Sequence, residues 1–142
     1  MSRRHNYLHS PEEMIAWGQS FGKQLLPGSI VALKGDLGSG KTTLVKGIVN
    51  GILGWDPKEV TSPTFTYLHI YSSSSTFIYH FDLYRLSHEA DFVKLGFSEY
   101  FQSGGICCIE WSERIEQLLP PHVIKIELMH EDEETRKIRI NF

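Results

Sequence analysis

Residues 35 to 42 read Gly35-Asp36-Leu37-Gly38-Ser39-Gly40-Lys41-Thr42, which satisfies the phosphate-loop pattern G-x-x-x-x-G-K-[ST]. Each fixed position has a physical task. The glycines let the backbone curl so that successive N–H groups, from Asp36 to Ser39 and on through Gly40, point inward at a phosphate chain. Lys41 reaches the β- and γ-phosphates, and the Thr42 hydroxyl suits a Mg²⁺ ion held between them. The signature therefore predicts nucleotide binding.

Such a loop needs acidic partners, and two carboxylates stand at strand ends. Asp82 closes Phe77-Ile78-Tyr79-His80-Phe81, and Glu110 closes Ile106-Cys107-Cys108-Ile109. Ligands of open α/β sheets bind at the carboxyl ends of the strands, so either acid is a candidate for metal or catalytic work. One can ligand the metal while the other orients the attacking water, and periodicity leaves that division open. The run before Asp82 alternates and predicts a half-exposed strand; the run before Glu110 predicts a buried one. Thr61-Ser62-Pro63-Thr64 adds hydroxyls on a stiffened turn, which is either a γ-phosphate sensor or a plain turn into a strand. His80 shares a strand face with Asp82, where it is either a second-layer partner or a packed ring.

Elements must position these groups. Ser29 to Leu33 predicts a buried parallel strand feeding the loop, and Thr43 to Leu53 predicts a helix stopped by Gly54. Ser10-Pro11-Glu12-Glu13 is a helix start, with Met14, Trp17, Phe21 and Leu25 on one face and Pro27-Gly28 at its end. Thr64 to Tyr71 and Thr76 to Asp82 read as a hairpin joined by four serines. Its aromatic side chains, from Phe65 to Phe81, mark a candidate protein-binding surface. Short helical pieces are expected over 88–94 and 98–102, and Ser112 is expected to cap a brief helix through Leu119. Val123 to Met129 and Lys137 to Phe142 form a C-terminal hairpin around an acidic turn. The order implies an α/β, phosphate-loop class of three layers, with a mixed central sheet ending in an antiparallel hairpin, over residues 1–142 as one domain.

Composition narrows the classes. No apolar run approaches the ~20 residues of a membrane span, and the first seven residues lack the apolar segment of a signal peptide. Cys107 and Cys108 are adjacent on a strand and point to opposite faces, so a cytoplasmic setting is expected rather than a disulfide. A net charge of −3 gives no global field for nucleic acid, so DNA is not expected and any RNA contact is expected to be local or indirect.

The loop with Thr43, then Thr61-Ser62-Pro63-Thr64-Phe65, then His80-Phe81-Asp82-Leu83-Tyr84-Arg85-Leu86, then Ile109-Glu110-Trp111, together resemble the TsaE (formerly YjeE) ATPases. The likeness spans roughly residues 10–130. It implies a compact phosphate-loop domain that binds ATP or ADP with Mg²⁺ and hydrolyses ATP slowly alone. It also implies work with the TsaD–TsaB heterodimer in tRNA threonylcarbamoyladenosine modification. Carried over by position, Lys41 and Thr42 contact phosphate and metal, and Thr43 lies near the α-phosphate. Asp82 becomes the metal-associated aspartate, Glu110 the catalytic glutamate, Trp111 a nucleotide neighbour and Thr64 a switch residue. Ser112 departs from the proline or alanine that many members carry there.

Two other readings stay in play. A small-molecule kinase would want an arginine-rich lid, yet Arg3, Arg4, Arg85, Arg114, Arg136 and Arg139 do not cluster beyond the N-terminus. A non-hydrolysing regulator would bind ATP without turning it over. The chain carries neither an Asn-Lys-x-Asp guanine motif nor a Leu-Ser-Gly-Gly-Gln transporter signature. Arg85 is either a phosphoryl-stabilising group or a surface residue.

Overall fold

The computed structural model describes residues 3–141. Within them, seven strands form one sheet: β1 (Arg3–Leu8), β2 (Ile30–Gly35), β3 (Leu68–Ser73), β4 (Thr76–Asp82), β5 (Ile106–Glu110), β6 (Ile124–His130) and β7 (Arg136–Asn141). Their spatial order is β1-β7-β6-β2-β5-β4-β3. The four central strands, β6, β2, β5 and β4, are mutually parallel, and the outer pairs are antiparallel. Helices α1 (Pro11–Lys23) and α2 (Lys41–Leu53) cover one face; α3 (Glu89–Lys94) and 3₁₀ turns at Phe97–Gln102 and Ser112–Leu118 cover the other. The three-layer mixed α/β arrangement matches the expectation.

Strand alternation divides the core in two. Val31, Leu33 and Cys108 face α1 and α2, whereas Ile30, Cys107 and Ile109 face the other layer. The two cysteines are therefore buried on opposite sides of one strand and remain free. Burial pushes the Cys107 thiol up to about 12 and that of Cys108 further.

Helix α1 begins as expected: extended Ser10 accepts a hydrogen bond from the Glu13 N–H, and Pro11 takes the first turn. It stops at Lys23, however, because residues 24–29 close a series of tight turns before Gly28 (φ +85°) turns the chain into β2. Helices α1 and α2 pack backbone to backbone. A Cβ on Gly47 would lie 2.3 Å from the Ile15 carbonyl oxygen, and one on Gly18 would lie 2.7 Å from that of Leu44. Gly22 and Gly51 make equally close approaches one turn on. Gln19 bonds Asn50 at 2.7 Å across this seam.

Other expectations are corrected. Strand β3 starts at Leu68, not Thr64, because the Tyr67 N–H bonds the Pro63 carbonyl and Tyr67 adopts φ +67°, which breaks the extended run. Two serines, Ser74 and Ser75, make the hairpin turn, since Ser73 pairs with Thr76. Ser112 caps nothing: left-handed Trp111 (φ +60°) precedes the turn, and the Ser112 hydroxyl donates to the Leu33 carbonyl. Asp82 ends a strand that is buried from His80 onward, not half-exposed. Strand β1 was not expected at all. Its RRHNYL run lacks alternation and is held by main-chain pairing to β7. Phe142, at the end of the expected hairpin, lies outside the described residues.

Candidate functional site

Strand β2 runs into the loop and α2 leaves it, so the loop amides and the helix N-terminus converge at the carboxyl edge of the parallel strands. Gly38 and Gly40 take φ +78° and +105°, a left-handed conformation that a Cβ would strain. On β4 and β5 the two-residue period sends His80, Asp82 and Glu110 to the α2 face. Asp82 and Glu110 are register partners on adjacent strands, and both are buried.

The loop and the acids meet directly. The Thr42 hydroxyl lies 2.9 and 3.0 Å from the two Glu110 carboxylate oxygens. Glu110 is held from behind by His80 Nε2 at 2.6 Å. Asp82 accepts from the Ser62 hydroxyl, from Thr64 Oγ1 at 3.2 Å and from the Tyr84 N–H at 3.0 Å. Lys41 is only 5% exposed; its ammonium donates to the Gly35 and Asp36 carbonyls and sits 4.1 Å above the Trp111 ring. Burial lowers its pKa, a shift that Glu110 and other nearby acids partly oppose. Trp111 in turn packs against the Tyr84 ring, with centroids 5.0 Å apart and planes tilted by 57°.

These groups surround an open pocket of about 430 Å³, with the loop on one side, Asp82 and Glu110 at its floor, and Trp111 and Tyr84 at its rim. The structure brings Leu37, Gly38, Gly40, Lys41, Thr42, Thr43, Thr64, Asp82, Glu110 and Trp111 to that pocket. Two loop candidates behave differently. The Asp36 side chain is exposed and its carbonyl accepts from Lys41, while Ser39 is fully buried with its hydroxyl lacking a hydrogen-bond partner among the described residues. Arg85 lies outside the pocket, over the ring of exposed Phe65. Of the hairpin aromatics, Tyr71 and Phe81 are core, so only Phe65 and Phe77 are left substantially exposed. The Ser62 hydroxyl, in the turn that the sequence offered as a γ-phosphate sensor, also lines the pocket; sequence reading missed Tyr84 as a lining residue and Tyr71 as a partner of His80, for which no spacing gave a signal.

The donor set fits Mg²⁺ with a nucleotide. Thr42, Glu110 and Asp82 offer hard oxygen atoms, and among the described residues no three His, Cys, Asp or Glu side chains converge to cage a metal alone.

A family model described as "Threonylcarbamoyl adenosine biosynthesis protein TsaE" matches residues 8–138. The chain belongs to the TsaE family. A TsaE protein of Treponema pallidum (strain Nichols) is 43% identical over 119 residues, covering 84% of this chain and 86% of its own length. One of Bacillus subtilis (strain 168) is 36% identical over 129 residues, covering 91% and 79%. Both are named tRNA threonylcarbamoyladenosine biosynthesis proteins. The crystal structure of Bacillus subtilis YdiB superposes with a TM-score of 0.79 at 32% identity, covering 98% of this chain and 84% of that one. The likeness includes the phosphate-loop fold, and the TsaE match takes in every pocket residue named above.

Proposed function

We propose that this TsaE chain binds ATP or ADP with Mg²⁺ and hydrolyses ATP to ADP and phosphate in tRNA threonylcarbamoyladenosine modification. In this reading it works in the cytoplasm with TsaD and TsaB, and meets tRNA through them. The observation that carries the chemistry is the Thr42–Glu110 contact: a strand-end carboxylate already holds the loop threonine whose hydroxyl a Mg²⁺ ion would use. Thr42, Glu110 and Asp82 would hold Mg²⁺ in this reading, and the ion would supply neutralisation of the charge that develops during phosphoryl transfer.

The chain's own groups do the rest. Loop amides from Leu37 to Thr43 and the positive end of α2 receive the phosphates. Lys41 exchanges its loop carbonyls for phosphate oxygens, which restores a partner to a desolvated ammonium. Thr43, Gly38 and Gly40 also line a second, smaller pocket with Ser10, Met14, Glu134 and Arg136, which adjoins the phosphate loop. Glu110 holds Thr42 on the cation side and orients the attacking water. Asp82 fixes Ser62 and Thr64 over the γ-phosphate end, as a switch segment would be fixed.

The deciding measurement is steady-state ATP hydrolysis in Mg²⁺, with and without the TsaD–TsaB heterodimer. Stimulated turnover that disappears in Lys41→Ala is the expected result. Nucleotide binding with no turnover under either condition would overturn the hydrolysis reading in favour of a regulator.

A further inference from the structure

His80 is fully buried, and its two ring nitrogens both have partners. Nε2 lies 2.6 Å from Glu110 Oε2, and Nδ1 lies 3.1 Å from the Tyr71 hydroxyl. That hydroxyl is also 3.2 Å from the carbonyl of Thr61, at the start of the 61–64 segment. His69 Nδ1 sits 3.1 Å from the same carbonyl.

One hydroxyl proton cannot serve two acceptors. If Tyr71 donates to Thr61, its oxygen can only accept from Nδ1–H. A neutral ring then turns the Nε2 lone pair toward the Glu110 carboxylate, which is repulsive. If Tyr71 donates to Nδ1, the ring carries its proton on Nε2 and donates to Glu110, and His69 can supply the Thr61 carbonyl. Only the second arrangement satisfies every neutral group, and it requires no change in protonation state. The two-residue spacing of His80 and Asp82 suggests that they serve each other, yet the ring reaches across to the neighbouring strand instead.

We infer that His80 is a positioning residue that sets the Glu110 carboxylate against Thr42, and that the shared Tyr71 hydroxyl links this setting to residues 61–64. The inference rests on the nucleotide–Mg²⁺ reading above. The Thr61 carbonyl competes with Nδ1 for the one Tyr71 proton, so withdrawing that carbonyl favours the arrangement in which His80 donates to Glu110. Thr64 and Ser62, three and one residues on, hold Asp82. A movement of this one segment therefore touches both carboxylates.

The test uses His80→Ala, His80→Gln, Tyr71→Phe and the His80→Gln/Tyr71→Phe double variant in the full chain. Folding is checked by thermal unfolding. Binding of adenylyl-imidodiphosphate is measured without metal, then the Mg²⁺ concentration that half-saturates the complex, then single-turnover ATP hydrolysis. His80→Ala should raise the Mg²⁺ half-saturation and slow turnover by about 10–100-fold, with metal-free analogue affinity within about twofold. His80→Gln, whose amide N–H can replace Nε2–H, should recover most of that loss. Tyr71→Phe should cost a smaller factor alone and nothing in the His80→Gln background, because an amide has no tautomer to fix. Wild-type metal half-saturation in His80→Ala, or His80→Gln folded but as impaired as alanine, would overturn the assignment. Should the alanine variant fail to fold, the glutamine and phenylalanine variants carry the decision. If the wild-type protein binds the analogue with Mg²⁺ but turns over no ATP, the hydrolysis reading alone fails. The metal half-saturation still decides the place of His80.

Discussion

Among the described residues Lys41 makes no direct ion pair: its ammonium is held by its own loop and by the face of Trp111. A desolvated ammonium whose neighbouring acids offset its burial only in part is a poor contributor to stability, and its lowered pKa says the same. Lys41→Met should therefore bind ATP at least about tenfold more weakly, one lost charge-assisted contact being worth ~1.5–3 kcal/mol, yet unfold at an equal or higher temperature. Titration with a fluorescent nucleotide and a thermal melt check both halves. The two acids should separate in the same assay. Glu110→Gln should raise the Mg²⁺ half-saturation as well as slow turnover, because Glu110 holds Thr42. Asp82→Asn should slow turnover with a smaller metal effect, because Asp82 holds Ser62 and Thr64. A larger metal effect in Asp82→Asn would reverse that division. At this scale the sequence was most legible where residue type is dictated by a ligand, as along 35–42. His80 was legible only as a face-mate of Asp82, because its partners come from a neighbouring strand and from Tyr71, which no spacing encodes.

Helix α2 owes its placement to backbone contact. Gly18 and Gly22 on α1 meet Gly47 and Gly51 on α2 with no room for a methyl group. Gly47→Ala should destabilise the chain by about 1–3 kcal/mol through overpacking, read as a lower urea midpoint, and should also weaken nucleotide binding, since α2 carries the loop. Gly54→Ala, where a Cβ meets open space but the residue adopts φ +76°, should cost only the ~1 kcal/mol of a left-handed non-glycine residue. Lys46 braces the same helix, donating to the Pro57 and Val60 carbonyls just ahead of the 61–64 segment. Helices and central strands announced themselves through period and caps, with Ser10 and Gly54 marking ends correctly. The glycine seam did not, because glycine at four-residue spacing reads as helix weakness until a second helix is seen against it. Strand β1 was hidden for the opposite reason: an edge strand paired by its main chain needs no hydrophobic alternation.

The sheet as a whole shields the groups that titrate at alkaline pH. The Cys107 thiol moves from 9.0 to about 12, and the Tyr71 hydroxyl from 10.0 to about 12, both through burial. The folded form keeps these protons after the unfolded chain has released them, so their stabilisation is complete below pH 9 and is lost as pH rises toward 12. Each group contributes a decline of about 1.4 kcal/mol per pH unit within its window. The urea midpoint should fall between pH 8.5 and pH 10.5, and less steeply in Cys107→Ala. An unchanged slope in that variant would place the effect elsewhere. Register has a different consequence. Leu33 pairs with Glu110, and Glu110 with Asp82, so loop strand and both acids are aligned by the rungs of one ladder. A slip of one residue in β4 or β5 would turn a carboxylate to the opposite face and leave a hydrophobic side chain under the phosphates. Under the proposed function, affinity for nucleotide is a proofreading signal for the fold itself: immobilised ATP would retain molecules whose central strands are correctly paired and let mispaired ones pass.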